Sequence, residues 1–528
     1  MLYSGRCQLL KNMAAEFFLF GEKTKISDGN LGHTKTSTAI PQKQIQSKRF
    51  FKKNPVFTCF SIYYGYTIFP VINWRFFMAW NILDFGAESN SAKCCTGSIQ
   101  AAIDACCTAG GGTVIIPPGK FTAGTLELKS NVRLHLEHGA VLYASANRAD
   151  YRRLFPEHPN IQPGTTDYPF NIDEYFIYAL GVRNAAITGG GMIHAQGRNF
   201  YHSDRFRKCI KQKPGHKEYI LKEWRPGPTV CFLECEDITV QGITIEEHPL
   251  FALTLLHCRN AVLTGLKIHT DIHFINGDGI HLKSSQNVTI SDCQIDVEDD
   301  AICFYTDMWE RTPALLGNED YTTSNITVSN CIFSTACSAI RIGFMGDAPL
   351  RNILFNNIIV KQAEAALDVI CCGGESYFSS KGKIYKGPLI ENIHLANFIA
   401  ENVKWGITLN SDRNLQDDAG IRNFLFSGVR IHSACGSYLA GTAEHPLCGI
   451  TFRDCFFKVD GFEVSEEKAP EYLCMFKNQT FPGGILLRHT CDVTFANTAL
   501  EVCKEWQAFT AENDRDTDIS GLRIKQSI

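Results

Sequence analysis

From residue 131 onward one short phrase recurs: an Asn or Asp, an alternation of apolar and polar residues, a small or polar residue, then a second alternation. It reads NVRLHLEHG from Asn131, NAAITGGGMIH from Asn184, DITVQGITIEEH from Asp237, NAVLTGLKIHT from Asn260 and NVTISDCQIDV from Asn287. It continues as NITVSNCIFST from Asn325, NILFNNIIVKQ from Asn352, NIHLANFIAEN from Asn392, NFLFSGVRIHS from Asn423 and DVTFANTALEV from Asp492. Starts at 237, 260, 287, 325 and 352 lie 23, 27, 38 and 27 residues apart, so the unit is a coil of short strands with inserted loops of variable length. Period-2 alternation sends one set of side chains inward and the other outward. Ile290, Val328, Phe355 and Leu395 are therefore candidates for one stacked interior ladder. Strands too short to bury a face alone, repeated at the length of one turn, predict an all-β chain folded as a right-handed parallel β-helix, because stacked coils pair every backbone group with a neighbour. The leading Asn suits a sharp turn, since it tolerates the left-handed conformation and bonds its own backbone. A sandwich or an irregular propeller is the competing architecture.

A solenoid needs its open end covered. Ser98–Ala105 reads as an amphipathic helix with Ile99, Ala102, Ile103 and Cys106 on one face, ending in Gly110-Gly111-Gly112, and supplies an N-terminal capping helix. From residue 432 the coils are expected to become irregular, with the tail after Asp492 forming the last strands and a polar cap.

The 528 residues carry 51 Lys+Arg against 55 Asp+Glu, but the balance is uneven: residues 1–77 sum to +8 and the remainder to −12. An acidic body of this kind repels nucleic acid and anionic membrane, so neither is an expected partner. Residues 1–77 show little periodicity. Lys48-Arg49-Phe50-Phe51-Lys52-Lys53 followed by Val56–Ile72 imitates a secretion signal or anchor, but Pro55, Thr58, Ser61, Gly65, Thr67 and Pro70 dilute the apolar run. Residues 1–77 are therefore expected to be an extension outside the fold, with translation beginning at Met78, and 78–528 to form the β-helix domain. The expected location is the cytoplasm, or outside the cell should 48–77 act as a signal. The 22 cysteines include the adjacent pairs Cys94/Cys95, Cys106/Cys107 and Cys371/Cys372, and Cys258, Cys293, Cys331 and Cys455 sit in apolar runs, so reduced thiols packing as small hydrophobes are expected. Gly189-Gly190-Gly191 opens no helix and reads as a turn in the coil.

The chemistry concentrates in INGDGIHLKSSQNVTISDCQIDVEDDAICF, where Asp278 precedes Asp299 by 21 residues and Asp300 by 22, about one coil. Three acids then share one patch. On a regular strand Asp299 and Asp300 would face opposite ways, so the chain must bend there unless one of them is buried and hydrogen-bonded. Clustered carboxylates raise one another's pKa, which suits a glycoside hydrolase that needs one protonated acid and a second carboxylate holding water. A calcium site or ordinary turn acids are equally open readings of the three Asp alone. His269, His273 and His281 lie nearby without metal-ligand spacing, and read as cleft-lining or structural. No metal and no cofactor is expected.

NILDFGA at 81–87, SIQAAIDACCTAGGGTVIIPPGKFTAGTLELKSNVRLHLEHGAVL at 98–142, RPGPTVCFLECEDITVQGITI at 225–245 and HPLFALTLLHCRN at 248–260 resemble glycoside hydrolase family 28, the polygalacturonase and rhamnogalacturonase family, over nearly all of residues 80–430. The family's Asn-Thr-Asp motif matches Asn276-Gly277-Asp278 and its Asp-Asp motif matches Asp299-Asp300. The resemblance implies an inverting hydrolase of pectin-like glycans with Asp299 as general acid and Asp278 and Asp300 holding the attacking water, and it makes Asn276 a substrate-binding residue.

Two departures accompany it. Where the family has Gly-His-Gly this chain has Ala336-Cys337-Ser338, placing Cys337 in the histidine's position. Where the family has the uronate-holding Arg-Ile-Lys it has Leu367-Asp368-Val369. Arg341 is either a replacement cation in the substrate site or a surface arginine, and ordinary polygalacturonate is a disfavoured substrate. A polysaccharide lyase on the same fold and a glycan-binding β-helix without activity are the rival readings. A carbohydrate is the expected partner in all three.

Overall fold

A computed structural model of the chain describes residues 79–91, 93–155, 173–208, 217–306, 320–344, 346–375, 384–411, 415–416, 418–461 and 483–527. The chain divides into two units, Met1–Asn73 and Trp74–Ile528, and all described residues belong to the second. The expected extension at 1–77 lies outside the described residues.

The recurring phrases form coils of three short strands, as in Ile280–Lys283, Gln286–Ser291 and Gln294–Val297. Each strand pairs in parallel with its equivalents one coil back and one coil on, building three faces. On the first face Leu253–Leu256, Ile280–Lys283, Ile302–Tyr305 and Ile340–Gly343 pair in turn. On the second Arg259–Thr264 pairs with Gln286–Ser291, and on the third Lys267–His269 pairs with Gln294–Val297. Parallel pairing through the solenoid excludes the sandwich and the propeller, whose sheets are antiparallel. The chain is a right-handed parallel β-helix, the hand that parallel crossovers take. Among the described residues the antiparallel strand pairs are two excursions, Tyr201–Lys208 with Lys217–Leu221 and Gly374–Glu375 with Ile384–Tyr385.

Inside, Ile290, Val328, Phe355 and Leu395 lie directly opposite one another on consecutive coils, each at most 1% exposed. The row continues as Phe426, Phe452 and Phe495, whose rings stack at centroid separations of 4.8 and 4.9 Å. Outside, the residues that lead the phrases all adopt positive φ, from 55° at Asn184 and Asp492 to 63° at Asn131. Their amides form a ladder down the turn: Asn287 Nδ2 donates to Asn260 Oδ1, Asn325 to Asn287 and Asn352 to Asn325, each at 3.1 Å. Asn is suited to both demands, because it tolerates the left-handed conformation and carries donor and acceptor together.

The capping helix spans Thr96–Thr108 and buries Ile99, Ala102, Ile103 and Cys106 as the pattern required. Gln100 fastens it to the first coils, accepting from Glu127 N at 2.9 Å and donating to Glu127 O at 3.1 Å. At the other end the coils do not become irregular among the described residues. Phe424, Ile450 and Val493 keep one register, and the last strand, Leu522–Ser527, pairs with Thr498–Cys503. The expectation of reduced thiols holds for the sixteen described free cysteines, Cys258, Cys293, Cys331 and Cys455 being buried as expected. It fails at Cys448 and Cys491, which form a disulfide. Parallel coils place these two residues opposite each other with Cα atoms 4.6 Å apart, within bridging range.

Candidate active site

The first face carries the acids. Asp278, Asp300 and Ser338 each precede a first-face strand by two residues, so they fall in one row across three coils. Gly279 N donates to Asp300 O at 2.9 Å and Ala301 N to Ser338 O at 3.0 Å. A Cβ at residue 279 would stand 2.3 Å from Ala301 O, so the approach that stacks Asp278 against Asp300 requires the glycine. Asp299 lies beside them in the bend between Gln294–Val297 and Ile302–Tyr305. Asp300 N donates to Asp299 Oδ1 at 3.0 Å and Thr335 Oγ1 donates to Asp299 O, which fixes that bend. Both Asp299 and Asp300 therefore reach the same patch as Asp278. At 5, 8 and 5% exposure, Asp278, Asp299 and Asp300 are set into the face rather than standing on it.

The outward-facing row of the first face reads Thr254, His281, Cys303, Arg341, Asp368, Thr408. Arg341 is the hub. Its Nε lies 2.5 Å from Asp300 Oδ2, its Nη1 2.6 Å from Asp368 Oδ2, and its Nη2 donates to Ser338 Oγ at 2.9 Å and to Cys337 Sγ at 3.4 Å. Ser338 N donates to Asp300 Oδ1 at 3.1 Å and Thr408 Oγ1 to Asp368 Oδ1 at 2.6 Å. Burial alone would lower the Arg341 pKa, but Asp300 and Asp368 hold it well above its ordinary value. Burial raises the Asp300 carboxyl, Arg341 draws it back, and Asp299 raises it again; the net direction is upward. Arg341 is thus no surface arginine.

On the other side of Asp278, His281 Nε2 lies 2.8 Å from Asp278 Oδ2 and His281 Nδ1 lies 2.7 Å from Tyr305 Oη. Asn276, at φ 56°, is oriented by Arg225, whose Nη2 donates to Asn276 Oδ1 at 3.1 Å. Arg225 is 1% exposed, and its Nη1 reaches Tyr201 Oη at 2.7 Å, Pro249 O at 2.9 Å and Ile275 O at 2.5 Å. Tyr201 in turn stacks on Phe274, centroids 4.6 Å apart.

Of the six residues singled out from the sequence, Asp299, Asp300, Cys337 and Arg341 are joined directly, Asp278 is stacked on Asp300 through the backbone, and Asn276, two residues before Asp278, is held separately by Arg225. At 367–369, Leu367 and Val369 are fully buried core residues, and Asp368 is the position that faces outward between them. Arg225, Tyr305 and Thr408 were not legible as site residues, and His281 was read only as cleft-lining or structural. The coil register marks His281 and Thr408, which share Arg341's row. The carboxylates of Asp299 and Asp300 and the Cys337 thiol come within 4.8 Å of one another, a set able to hold a divalent ion. Arg341 already supplies positive charge there.

A model of glycosyl hydrolases family 28 matches residues 106–443, which include every residue of this cluster. The chain belongs to glycosyl hydrolase family 28. Among the curated relatives of this family member, the exo-poly-alpha-D-galacturonosidase of Dickeya chrysanthemi is 25% identical, over 54% of this chain and 51% of the relative. A probable polygalacturonase of Vitis vinifera is 22% identical, over 62% of this chain and 61% of the relative. The family 28 chain thus spans about half to three fifths of the length of these relatives. Its fold is shared with the Yersinia enterocolitica family 28 exopolygalacturonase, at TM-score 0.59 and 19% identity, covering 84% of this chain and 78% of that one. It is also shared with the hyperthermoactive exopolygalacturonase of Thermotoga maritima, at TM-score 0.57 and 20% identity, covering 72% and 87%.

Proposed function

We propose that this family 28 chain hydrolyses an O-glycosidic bond in a pectin-like polysaccharide or oligosaccharide with inversion at the anomeric carbon. The observation that carries the proposal is the stacking of Asp278 on Asp300 with Asp299 beside them. Inverting hydrolysis needs one proton donor and a carboxylate-held water on the opposite side of the sugar. Asp300 receives Arg341 Nε and Ser338 N, both donors, which oppose the rise that burial and Asp299 impose on its carboxyl. Asp278 faces His281, a group that donates one hydrogen bond when neutral. The family resemblance makes Asp299 the general acid, delivering its proton to the leaving oxygen while Asp278 and Asp300 orient the water and accept its proton.

The relatives are named for galacturonan cleavage, but Arg341 here is engaged by Asp300 and Asp368, and the position next to it holds a carboxylate. A uronate at that subsite would meet an Arg341 already neutralised by Asp300 and Asp368, so a neutral sugar is the preferred occupant. Product analysis over a panel of pectic and neutral oligosaccharides tests the proposal. New reducing ends support it, an unsaturated uronide marks a lyase, and binding without product marks a glycan-binding protein; either of the last two overturns it.

A further inference from the structure

The sequence places a thiol, Cys337, where the family resemblance expects a histidine, and the structure brings an imidazole to the acids from another position. We propose that His281 is a positioning residue that holds the Asp278 carboxylate for water activation, with Tyr305 fixing the tautomer of its ring. The inference rests on the hydrolase reading above.

His281 is 1% exposed, lies face to face with Phe251 at a centroid distance of 3.9 Å, and meets Tyr305 edge-on at 5.5 Å. Its two nitrogens have one partner each, Asp278 Oδ2 at Nε2 and Tyr305 Oη at Nδ1. A neutral imidazole carries a single N–H. An ionised carboxylate only accepts, so that proton belongs on Nε2, leaving Nδ1 to accept from the phenol O–H. The chain of donors runs Tyr305 Oη–H to His281 Nδ1, then His281 Nε2–H to Asp278 Oδ2. Removing the phenol would leave Nδ1 free to carry the proton instead, and Asp278 would lose that donor.

The charged and titratable groups that bear on the ring are Asp278 from the preceding turn, Lys283 from its own strand, Tyr305 and Cys303 from the next coil, Asp299 and Asp300 from the bend, and Arg341 one coil further. Burial, reinforced by Lys283 and Arg341 and opposed by Asp299, holds the imidazole well below its ordinary pKa. The ring is therefore a constant neutral donor over the working range, and it does not itself titrate. A donor to the ionised form stabilises that form, so His281 widens the range over which Asp278 serves as base.

The full chain and its His281→Leu, His281→Gln and Tyr305→Phe variants are compared for kcat, KM, the pH profile of kcat and melting temperature, on the oligosaccharide that the parent turns over fastest. His281→Leu should lose about 10–100-fold in kcat with little change in KM, the size expected for one hydrogen bond to a charged group, and its acid limb should move to higher pH. His281→Gln, whose amide can donate to Asp278, should lose no more than about threefold, the residue of that same bond energy. Tyr305→Phe should fall between them. Leu and Gln variants that lose activity equally, in step with melting temperature and without movement of the acid limb, would show a merely structural histidine. The ring ¹⁵N shifts of His281 in the parent chain provide a readout independent of turnover: a neutral ring protonated at Nε2 is required, and protonation at Nδ1 or at both nitrogens overturns the inference. A parent chain with the required tautomer but no hydrolysis of any glycan would overturn the hydrolase reading, and with it the catalytic role assigned to His281.

Discussion

Asp300 shows how the surroundings of one residue set its chemistry. Burial raises its pKa and Arg341 opposes that rise, so the ascending limb of the pH–rate profile should lie above the ordinary carboxylate range. Arg341→Ala removes the opposing charge and should move that limb further up while lowering kcat/KM; a limb that stays in place would mean that Asp300 does not share with Asp278 in setting it. Because Arg341 bridges two carboxylates, polygalacturonate should be cleaved at least about 10²-fold less efficiently than the preferred glycan, the few kcal/mol of an uncompensated charge. Vigorous polygalacturonate cleavage that survives Arg341→Ala would contradict the argument from the occupied cation. At this scale the acids were legible because 21 and 22 residues amount to one coil. The partners were harder to read: Thr408 is linked to the acids only through coil register, and Arg225 comes from a connection outside the strands. The same one-residue precision sorts 367–369, since alternate residues of a strand face opposite ways and only Asp368 looks outward.

The coil is the element on which stability rests, and its turn makes demands distinct from those of its strands. Asn325 sits at φ 59° and bonds Asn287 on one side and Asn352 on the other. Asn325→Ala should cost about 2–3 kcal/mol, combining left-handed strain of ~1–2 kcal/mol with lost hydrogen bonds, whereas Asn325→Gly removes only the bonds and should cost less. Equal losses in denaturant titrations would show that the conformation contributes nothing. The apolar row through Phe355 and the turn ladder were both readable because each repeats in every coil. What repeats is visible without alignment, and the disulfide between Cys448 and Cys491, which occurs once, was not. A buried His248 adds a pH dependence at this scale. Burial lowers its pKa to about 4, although its bond to Leu250 O works the other way. Between pH 6.5 and 4 the unfolded chain binds a proton that the folded chain refuses. Stability should therefore be full above 6.5 and fall by up to about 1.4 kcal/mol per pH unit below it. His248→Gln should flatten part of that fall in unfolding measured across pH, and an unchanged slope would show that His248 titrates normally in the fold.

For the whole molecule, the solenoid is closed at its start by the helix Thr96–Thr108 and runs in register to Leu522–Ser527. The first described strand, Ala79–Asn81, pairs with Gly112–Ile116, so a chain starting at Met78 keeps every described pairing and should melt at the same temperature as the full chain; a drop of several degrees would show that residues 1–77 contribute to the fold. Fold class was legible at this scale because a solenoid is short-range: each coil needs only its neighbours. The meeting of the acids was legible because one coil of separation brings Asp278 to Asp300, and the missing clamp was legible at 367–369, whereas the pairing of Asp368 with Arg341 was not, because it shows only when their row is seen. The central claim is tested most directly by following the anomeric configuration of the first product released from a pectic or neutral oligosaccharide, for the full chain and for Asp299→Asn. The three-carboxylate site requires a new reducing end of inverted configuration whose rate falls by about 10²–10⁴-fold in the variant, the usual contribution of a general acid. Retained configuration, an unsaturated product, or an Asp299→Asn chain that turns over at the parent rate would contradict it.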